Sequence, residues 1–257
     1  MLDHLSGGRL QLGVGRGGAL LEHQRYGIDP ATAQAMYHEA FAVLMLACEA
    51  EEVNFEGRFY HFKDYLAVAK PVQRPHPPLW YGAPNADAVP WAATRGVNVI
   101  SLGPASRARD IASRYRSEWA AAGRKIGDLP IIGISRHIVV AETDGEARRI
   151  ADEAYRPWRE ALEHLWQRSR AVFPLAAAYP QHFDELVAIG HGIAGSPMTV
   201  LGYLKELTRE TGVNYLACHM IFGTMRFEAA ATSVRLFARQ VMPALQSGAS
   251  LTDPRRS

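Results

Sequence analysis

A chain of 257 residues, 48% hydrophobic and 21% charged, has the composition of a globular protein with a sizeable core. Its formal net charge of +2 comes from basic residues scattered among acids, which argues against a nucleic-acid partner or a membrane surface. Cys48 and Cys218 lie far apart without metal-like spacing, there is no run of 18 apolar residues, and no basic segment precedes an apolar stretch at the N-terminus; a cytoplasmic protein with reduced thiols and no signal peptide is expected.

In chain order, Arg9–Val14 reads as a short buried strand running into a glycine-rich turn, Gly13-Val-Gly-Arg-Gly-Gly18. A helix follows from about Ala33 to Ala50, with Phe41, Leu44, Met45 and Cys48 on one face. Residues 52–77 form an excursion: Asn54–Tyr60 suits a small hairpin, and Pro71, Pro75 and Pro77 forbid a helix. Leu79–Gly82 is the next strand, and Asn85 or Asp87 caps a helix reaching Arg95. Val97–Leu102 and Ile131–Ala141 are further strands, each followed by a helix, at about 106–122 and from Asp144. Residues 155–195 read as helical but irregular. Ser196-Pro197 opens a helix with Val200, Tyr203, Leu204 and Leu207 on its buried stripe and Gly212 as its stop. Asn214–Phe222 is the last strand, and a final helix is expected to end at Pro243. Residues 1–246 then form one domain and 247–257 a polar, disordered tail.

Short apolar strands alternating with amphipathic helices specify a parallel sheet with helical cover, either open or part of a barrel. About five strand–helix units are present, where a closed barrel needs eight. The turn Gly13-x-Gly15-x-x-Gly18 admits three readings. It fits a dinucleotide-binding fingerprint, although Gly27-Ile-Asp-Pro30 leaves little room for the helix that motif requires. It also fits a plain structural turn, or a strand mouth where Arg16 binds an anion with its charged fork.

Several segments resemble the bacterial luciferase-like family of flavin-dependent oxidoreductases. Leu2–Gly17 resembles the family's fourth strand, Glu22 and Tyr26-Gly-Ile-Asp29 its acid and aromatic-Gly-x-Asp, and Pro71–Gly82 the approach to its fifth strand. Trp91–Gly96, Gly195–Val200, Glu210–Asn214, Ser233–Phe237 and Val241-Met-Pro243 follow in family order. The resemblance implies a TIM-type (β/α)₈ barrel lacking roughly its first three strand–helix units, with a flavin at the carboxyl ends of the strands. The flavin phosphate would meet Gly15 and Arg16 after one strand, and Asn85, Ala86 and Ala88 at a helix start; Ser101 and Leu102 would lie near the ring. The implied cofactor is reduced FMN, with a 5-deazaflavin coenzyme as the alternative. The implied partners are a small-molecule substrate and O₂, with a flavin reductase and a homodimer also in view.

The sequence departs from the family pattern at Asn85-Ala-Asp-Ala-Val-Pro90, where Ser or Thr is common, and at Gln34, where luciferases carry another arginine. Asp87 would repel phosphate if it points inward, and Pro90 removes a backbone donor. The family's catalytic residues fall largely in the absent units, so no catalytic residue is assigned. His137 and His219, within strands, read first as hydrogen-bonded core or lining residues, and the five tryptophans as packing anchors. His23 and His38 follow no metal-binding pattern, and no metal site is expected. The reading is a flavin-dependent monooxygenase using reduced FMN and O₂. Its alternatives are a deazaflavin-dependent dehydrogenase or reductase and a non-catalytic, truncated flavin-binding module.

Overall fold

The computed structural model describes residues 1–17, 20–168, 173 and 175–248. The chain forms two compact units, Met1–Gly82 and Ala83–Ser257.

The first unit opens with the single turn α1 (Leu2–Leu5), whose Asp3 is buried. The Asp3 carboxylate accepts the backbone N–H of Gln73 at 2.9 Å and its side-chain N–H at 2.8 Å. These bonds, the backbone one foremost, hold the carboxyl below its usual range. β1 (Leu12–Val14), α2 (Leu20–Arg25) and α3 (Ala33–Glu49) follow. The antiparallel pair β2 (Glu52–Glu56) and β3 (His61–Leu66) is the expected hairpin, and β4 (Leu79–Gly82) closes the unit. β1 and β4 run parallel, with Leu12 opposite Leu79 and Val14 opposite Tyr81.

β1 starts three residues later than Arg9 because Arg9 is bound into a turn. Its N–H donates to the Ser6 hydroxyl and its Nε to the Ser6 carbonyl. The buried face of α3 is Ala33, Tyr37 and Phe41, so of the expected stripe only Phe41 is fully covered. Glu39 on the same helix accepts the N–H groups of Arg58, Phe59 and Tyr60 at 3.0, 2.8 and 3.3 Å, clasping the hairpin turn.

The second unit is entered through a 3₁₀ turn, Ala86–Ala88, leading into α4 (Val89–Arg95). β5 (Asn98–Ser101), α5 (Ala105–Ala121), β6 (Ile132–Val140) and α6 (Asp144–Arg168) follow. α7 (Phe183–Ala188), β7 (Gly192–Gly195), α8 (Pro197–Thr211), β8 (Tyr215–His219), α9 (Phe227–Leu236) and α10 (Met242–Gly248) complete it. All strand pairings in this unit are parallel and centre on β6. Gly133 lies opposite both Ile100 and Tyr215, and His137 opposite both Gly192 and His219. β8 therefore follows one edge of β6, while β5 and β7 share the other. All nine residues of β6 are buried.

Three expectations are corrected here. Residues 155–168 belong to one continuous helix, α6, which runs 25 residues through Pro157. A proline inside a helix costs about 3 kcal/mol, and anchors on both sides offset it. The Tyr155 hydroxyl donates to the Pro180 carbonyl at 2.9 Å, and buried Arg159 donates through Nε to the Tyr179 carbonyl at 2.6 Å. Pro243 does not end the last helix: a π turn, Phe237–Val241, interrupts the hydrogen-bond ladder just ahead of it, and α10 continues to Gly248. Gly192–Gly195 forms a strand although glycine disfavours one. The tail expected from residue 247 lies, from 249 onward, outside the described residues. No described helix is long and apolar enough to cross a membrane.

Gly212 ends α8 at φ +68°, as its position in the sequence indicates. Gly223 is more tightly constrained. It sits at φ +56°, and a Cβ there would lie 1.8 Å from the Ala154 carbonyl oxygen of α6. Gly223→Ala should therefore destabilise the protein by about 2–4 kcal/mol, combining backbone strain with overpacking. Urea unfolding checks this; an unchanged midpoint would mean that α6 and the loop after β8 do not meet this closely.

Candidate cofactor site

In the first unit, Gly15 and Arg16 follow directly on β1, at its carboxyl end, and both are exposed. Arg16 is close enough to Tyr81 of β4 for its charge to favour the phenolate, although burial, the larger effect, raises that phenol. Among the described residues Arg16 enters no hydrogen bond or ion pair, so its fork is available to an anion. α2 does open soon after the glycine turn, but at six residues it is a short stub. Gly18 lies outside the described residues, so the full glycine pattern is not described. Behind the turn, His23 is 5% exposed, its Nε2 is 3.6 Å from where a Cβ on Gly17 would stand, and neither ring nitrogen has a partner among the described residues.

In the second unit, Asn85 caps the 3₁₀ turn. Its Oδ1 accepts the N–H groups of Asp87 at 3.1 Å and Ala88 at 3.2 Å. Of the amides expected to meet a phosphate, that of Ala88 is thus already engaged, and that of Ala86 is not taken by Asn85. Pro90 costs the helix no bond, because it stands in the first turn of α4, where no intrahelical acceptor is available. Asp87 is exposed. Ser101, the last residue of β5, is buried and accepts the Gly103 N–H through Oγ at 3.3 Å, while Leu102 is 51% exposed.

Four groups that sequence reasoning treated as bland, or passed over, converge near the carboxyl half of β6. His137 is ringed by Trp158 at 4.5 Å, Phe222 at 4.9 Å and His219 at 5.0 Å between centroids. His191 lies 6.3 Å away, with Nδ1 bonded to the Ala178 carbonyl at 2.6 Å. Arg136, which the sequence reading did not single out, is 1% exposed. Its only signal in the sequence is a charge inside an otherwise apolar strand. Burial, reinforced by neighbouring positive groups, pushes His137 down to about 3 and His191 to about 4. Burial also lifts the Cys218 thiol to about 12, so this sulfur stays protonated and is a poor nucleophile.

Beyond the carboxyl end of β6, at Val140 and Ala141, a cavity of about 340 Å³ opens, lined in part by Glu142, Glu146, Arg149, Glu153, Arg226 and Glu228. This is the end of a parallel sheet at which ligands bind. The lining is strongly charged and includes none of the residues assigned to the flavin.

The parallel strands, their helical cover and an arginine at a strand's carboxyl end define an α/β fold with a ligand-binding end. Comparison with known proteins narrows it. The description "luciferase-like monooxygenase" matches residues 1–215, and the chain belongs to that family. It is 32% identical over 242 residues to the protein y4wF of Sinorhizobium fredii, covering 94% of this chain and 70% of that one. It is 25% identical over 258 residues to the oxygenase component of the flavin-dependent trigonelline monooxygenase of Acinetobacter baylyi, covering 95% and 70%. Among solved structures, monooxygenase RslO1 of Streptomyces bottropensis superposes with a TM-score of 0.75 at 28% identity, over 94% of this chain and 70% of that one. Solved structures at 20% identity and below include one in complex with FMN and others described as coenzyme F420-dependent. The fold alone therefore does not select the cofactor.

The two buried histidines make stability depend on pH. Their folded pKa values lie below the ordinary 6.5, so between about pH 6.5 and pH 4 the unfolded chain binds protons that the folded chain refuses. Stability is complete above that window and falls as pH drops through it, by about 1.4 kcal/mol per pH unit for each histidine. Urea midpoints at pH 7, 6 and 5 should decline. Replacing His191 with Gln should flatten the decline by about one proton, and an unchanged slope would show that His191 is not held neutral.

Proposed function

We propose that this chain is the oxygenating part of a flavin-dependent monooxygenase that uses reduced FMN and O₂ on a small organic substrate. The observation that carries the reading is Arg16, exposed at the carboxyl end of β1 and free of any ion pair among the described residues. A guanidinium so placed offers two parallel N–H groups to a phosphate dianion. Family membership and the likeness to an oxygenase component support it.

Reduced flavin supplies the electrons that activate oxygen. The chain's own residues bind and orient. Arg16 would hold the phosphate through charge-assisted hydrogen bonds, with Gly15 leaving the approach open, since a Cβ there would meet nothing within 4 Å. The resemblance also assigns Asn85, Ala86 and Ala88 to the cofactor; at their 3₁₀ turn the Ala88 N–H is engaged by Asn85 and the Ala86 N–H is not. Ser101 and Leu102 would face the ring, Leu102 contributing apolar surface. A flavin reductase would deliver the reduced cofactor, and the assembly could be a homodimer. Domain limits of 1–246 remain part of this reading, as does a cytoplasmic setting.

One observation favours the deazaflavin reading. Asn85 already occupies two amides of the turn expected to hold phosphate, which weakens the case for FMN specifically. Hydride transfer to a 5-deazaflavin without oxygen consumption would decide for it. A chain that binds flavin and turns nothing over would identify the non-catalytic module.

Titration with reduced FMN under anaerobic conditions tests the main reading. Saturable binding is expected, and Arg16→Gln should weaken it about 10- to 100-fold, the equivalent of about 1.5–3 kcal/mol for a charge-assisted bond. The circular dichroism spectrum should stay the same. A folded protein that shows no saturable binding, or an Arg16→Gln variant that binds as tightly as the parent, would overturn the assignment.

A further inference from the structure

The nine residues of β6 are buried, and one of them carries a permanent charge. Arg136 is 1% exposed. Its Nη1 donates to the carbonyls of Ser135 at 2.6 Å and Gly103 at 3.1 Å. Its Nε and Nη2 have no partner among the described residues. These two nitrogens form the side-on edge of the guanidinium, whose parallel N–H bonds match two oxygens of one oxyanion. No described carboxylate pairs with Arg136; the groups that bear on its charge are the phenols of Tyr203 and Tyr179. An unpaired buried charge costs several kcal/mol, so a natural sequence that keeps one needs a compensating group.

The surroundings are those of an anion receptor. The Tyr203 hydroxyl on α8 is buried and lies beside the guanidinium, near enough to share a hydrogen bond with it. Arg107, in the first turn of α5, folds its side chain over Gly103, with Cδ, Nε and Nη1 at 2.7–3.0 Å from where a Cβ would be. It therefore lies on the residue whose carbonyl Arg136 holds. That turn of α5 carries no acidic residue, and a helix N-terminus favours negative charge. His191 feels both arginines. The acid that bears on Tyr203 is Glu210, which is engaged by Arg109 at 3.7 Å.

We propose that Arg136 and Tyr203, with Arg107 at the head of α5, form a buried binding site for a small oxyanion, a phosphate, sulfate or carboxylate group. The Nε/Nη2 edge of Arg136 takes two oxygens, the Tyr203 hydroxyl donates to a third contact, and Arg107 adds charge from the half-exposed side. The site is built from residues of the second unit alone and does not depend on which flavin the protein uses.

The test is thermal unfolding of the intact protein in inorganic phosphate, sulfate or acetate, with chloride holding ionic strength constant. Stabilisation by a ligand that binds only the folded state grows with the logarithm of its concentration above Kd. The melting temperature should rise with at least one oxyanion beyond its value in chloride. Tyr203→Phe and Arg107→Gln, which keep the buried charge, should each weaken apparent affinity about 3- to 30-fold. Arg136→Met should abolish the response, while Arg114→Gln, on the exposed face of α5, should retain it. If Arg136→Met does not fold, the Tyr203 and Arg107 variants decide the matter. No oxyanion-specific shift in the parent, or equal shifts in the parent, Tyr203→Phe and Arg107→Gln, would overturn the proposal.

Discussion

The second unit depends on one constraint: β6 is covered on both faces and flanked by strands on both edges. A strand in that position has no water to turn to, so its backbone and side chains must find their partners within the protein. Alternation then separates its two ionisable residues. His137 points into the aromatic ring formed with Trp158, Phe222 and Tyr155, and Arg136 points toward Gly103 and Tyr203. Neither reaches water, so each must be neutralised or paired. His137 gives up its charge. Arg136 cannot, because even with burial pulling it down to about 10 its guanidinium remains protonated at neutral pH.

The entry to β6 is set by two asparagines that replace ladder partners. The Asn98 side chain, at the start of β5, accepts the Ile131 N–H at 2.8 Å, and the Asn214 side chain, just before β8, accepts the Ile132 N–H at 2.8 Å. Both neighbours are thereby locked in register with the first residues of the central strand. The exit is fixed differently. Ser233 Oγ accepts the Val140 N–H at 2.9 Å, and Asp144 at the head of α6 accepts the Ser196 N–H at 2.7 Å, which ties the turn after β7 to the helix after β6. Side chains thus hold both ends of β6, where the strands stop covering one another.

The alternation of elements was legible because β6 and α8 carry clear periodic signals. Val200, Leu204 and Leu207 are buried as their spacing indicates, Gly212 is the stop, and Asn85 is the cap. What was illegible depended on contacts between segments distant in sequence. Pro243 reads as a stop because nothing local reveals the π turn ahead of it. Gly192–Gly195 falls in a stretch that reads as irregular helix, because its pairing with β6 supplies what its composition lacks. The residues proposed for the cofactor came through resemblance; in the structure Gly15 and Arg16 follow β1, Ser101 ends β5, and Asn85 caps the turn before α4. The structure also shows Asn85 competing for an amide assigned to the cofactor, a local hydrogen bond that no pattern of residue types discloses. Arg136 and its neighbours Tyr203 and Arg107 come from three separate elements, so their convergence is a property of the fold and invisible along the chain.

The two arginines illustrate how burial divides labour among identical side chains. Arg16 stands in water, where a phosphate that binds exchanges hydration for charge-assisted bonds and can exchange back. Such a residue suits a cofactor that must arrive and leave, as reduced flavin does when a separate reductase supplies it. Arg136 stands where desolvation has already been incurred on folding, so an anion that reaches it meets oriented donors in a low local dielectric. The same guanidinium therefore favours exchange at one site and retention at the other. In this reading the exposed arginine belongs to turnover. The buried one belongs to the stability of the sheet around β6.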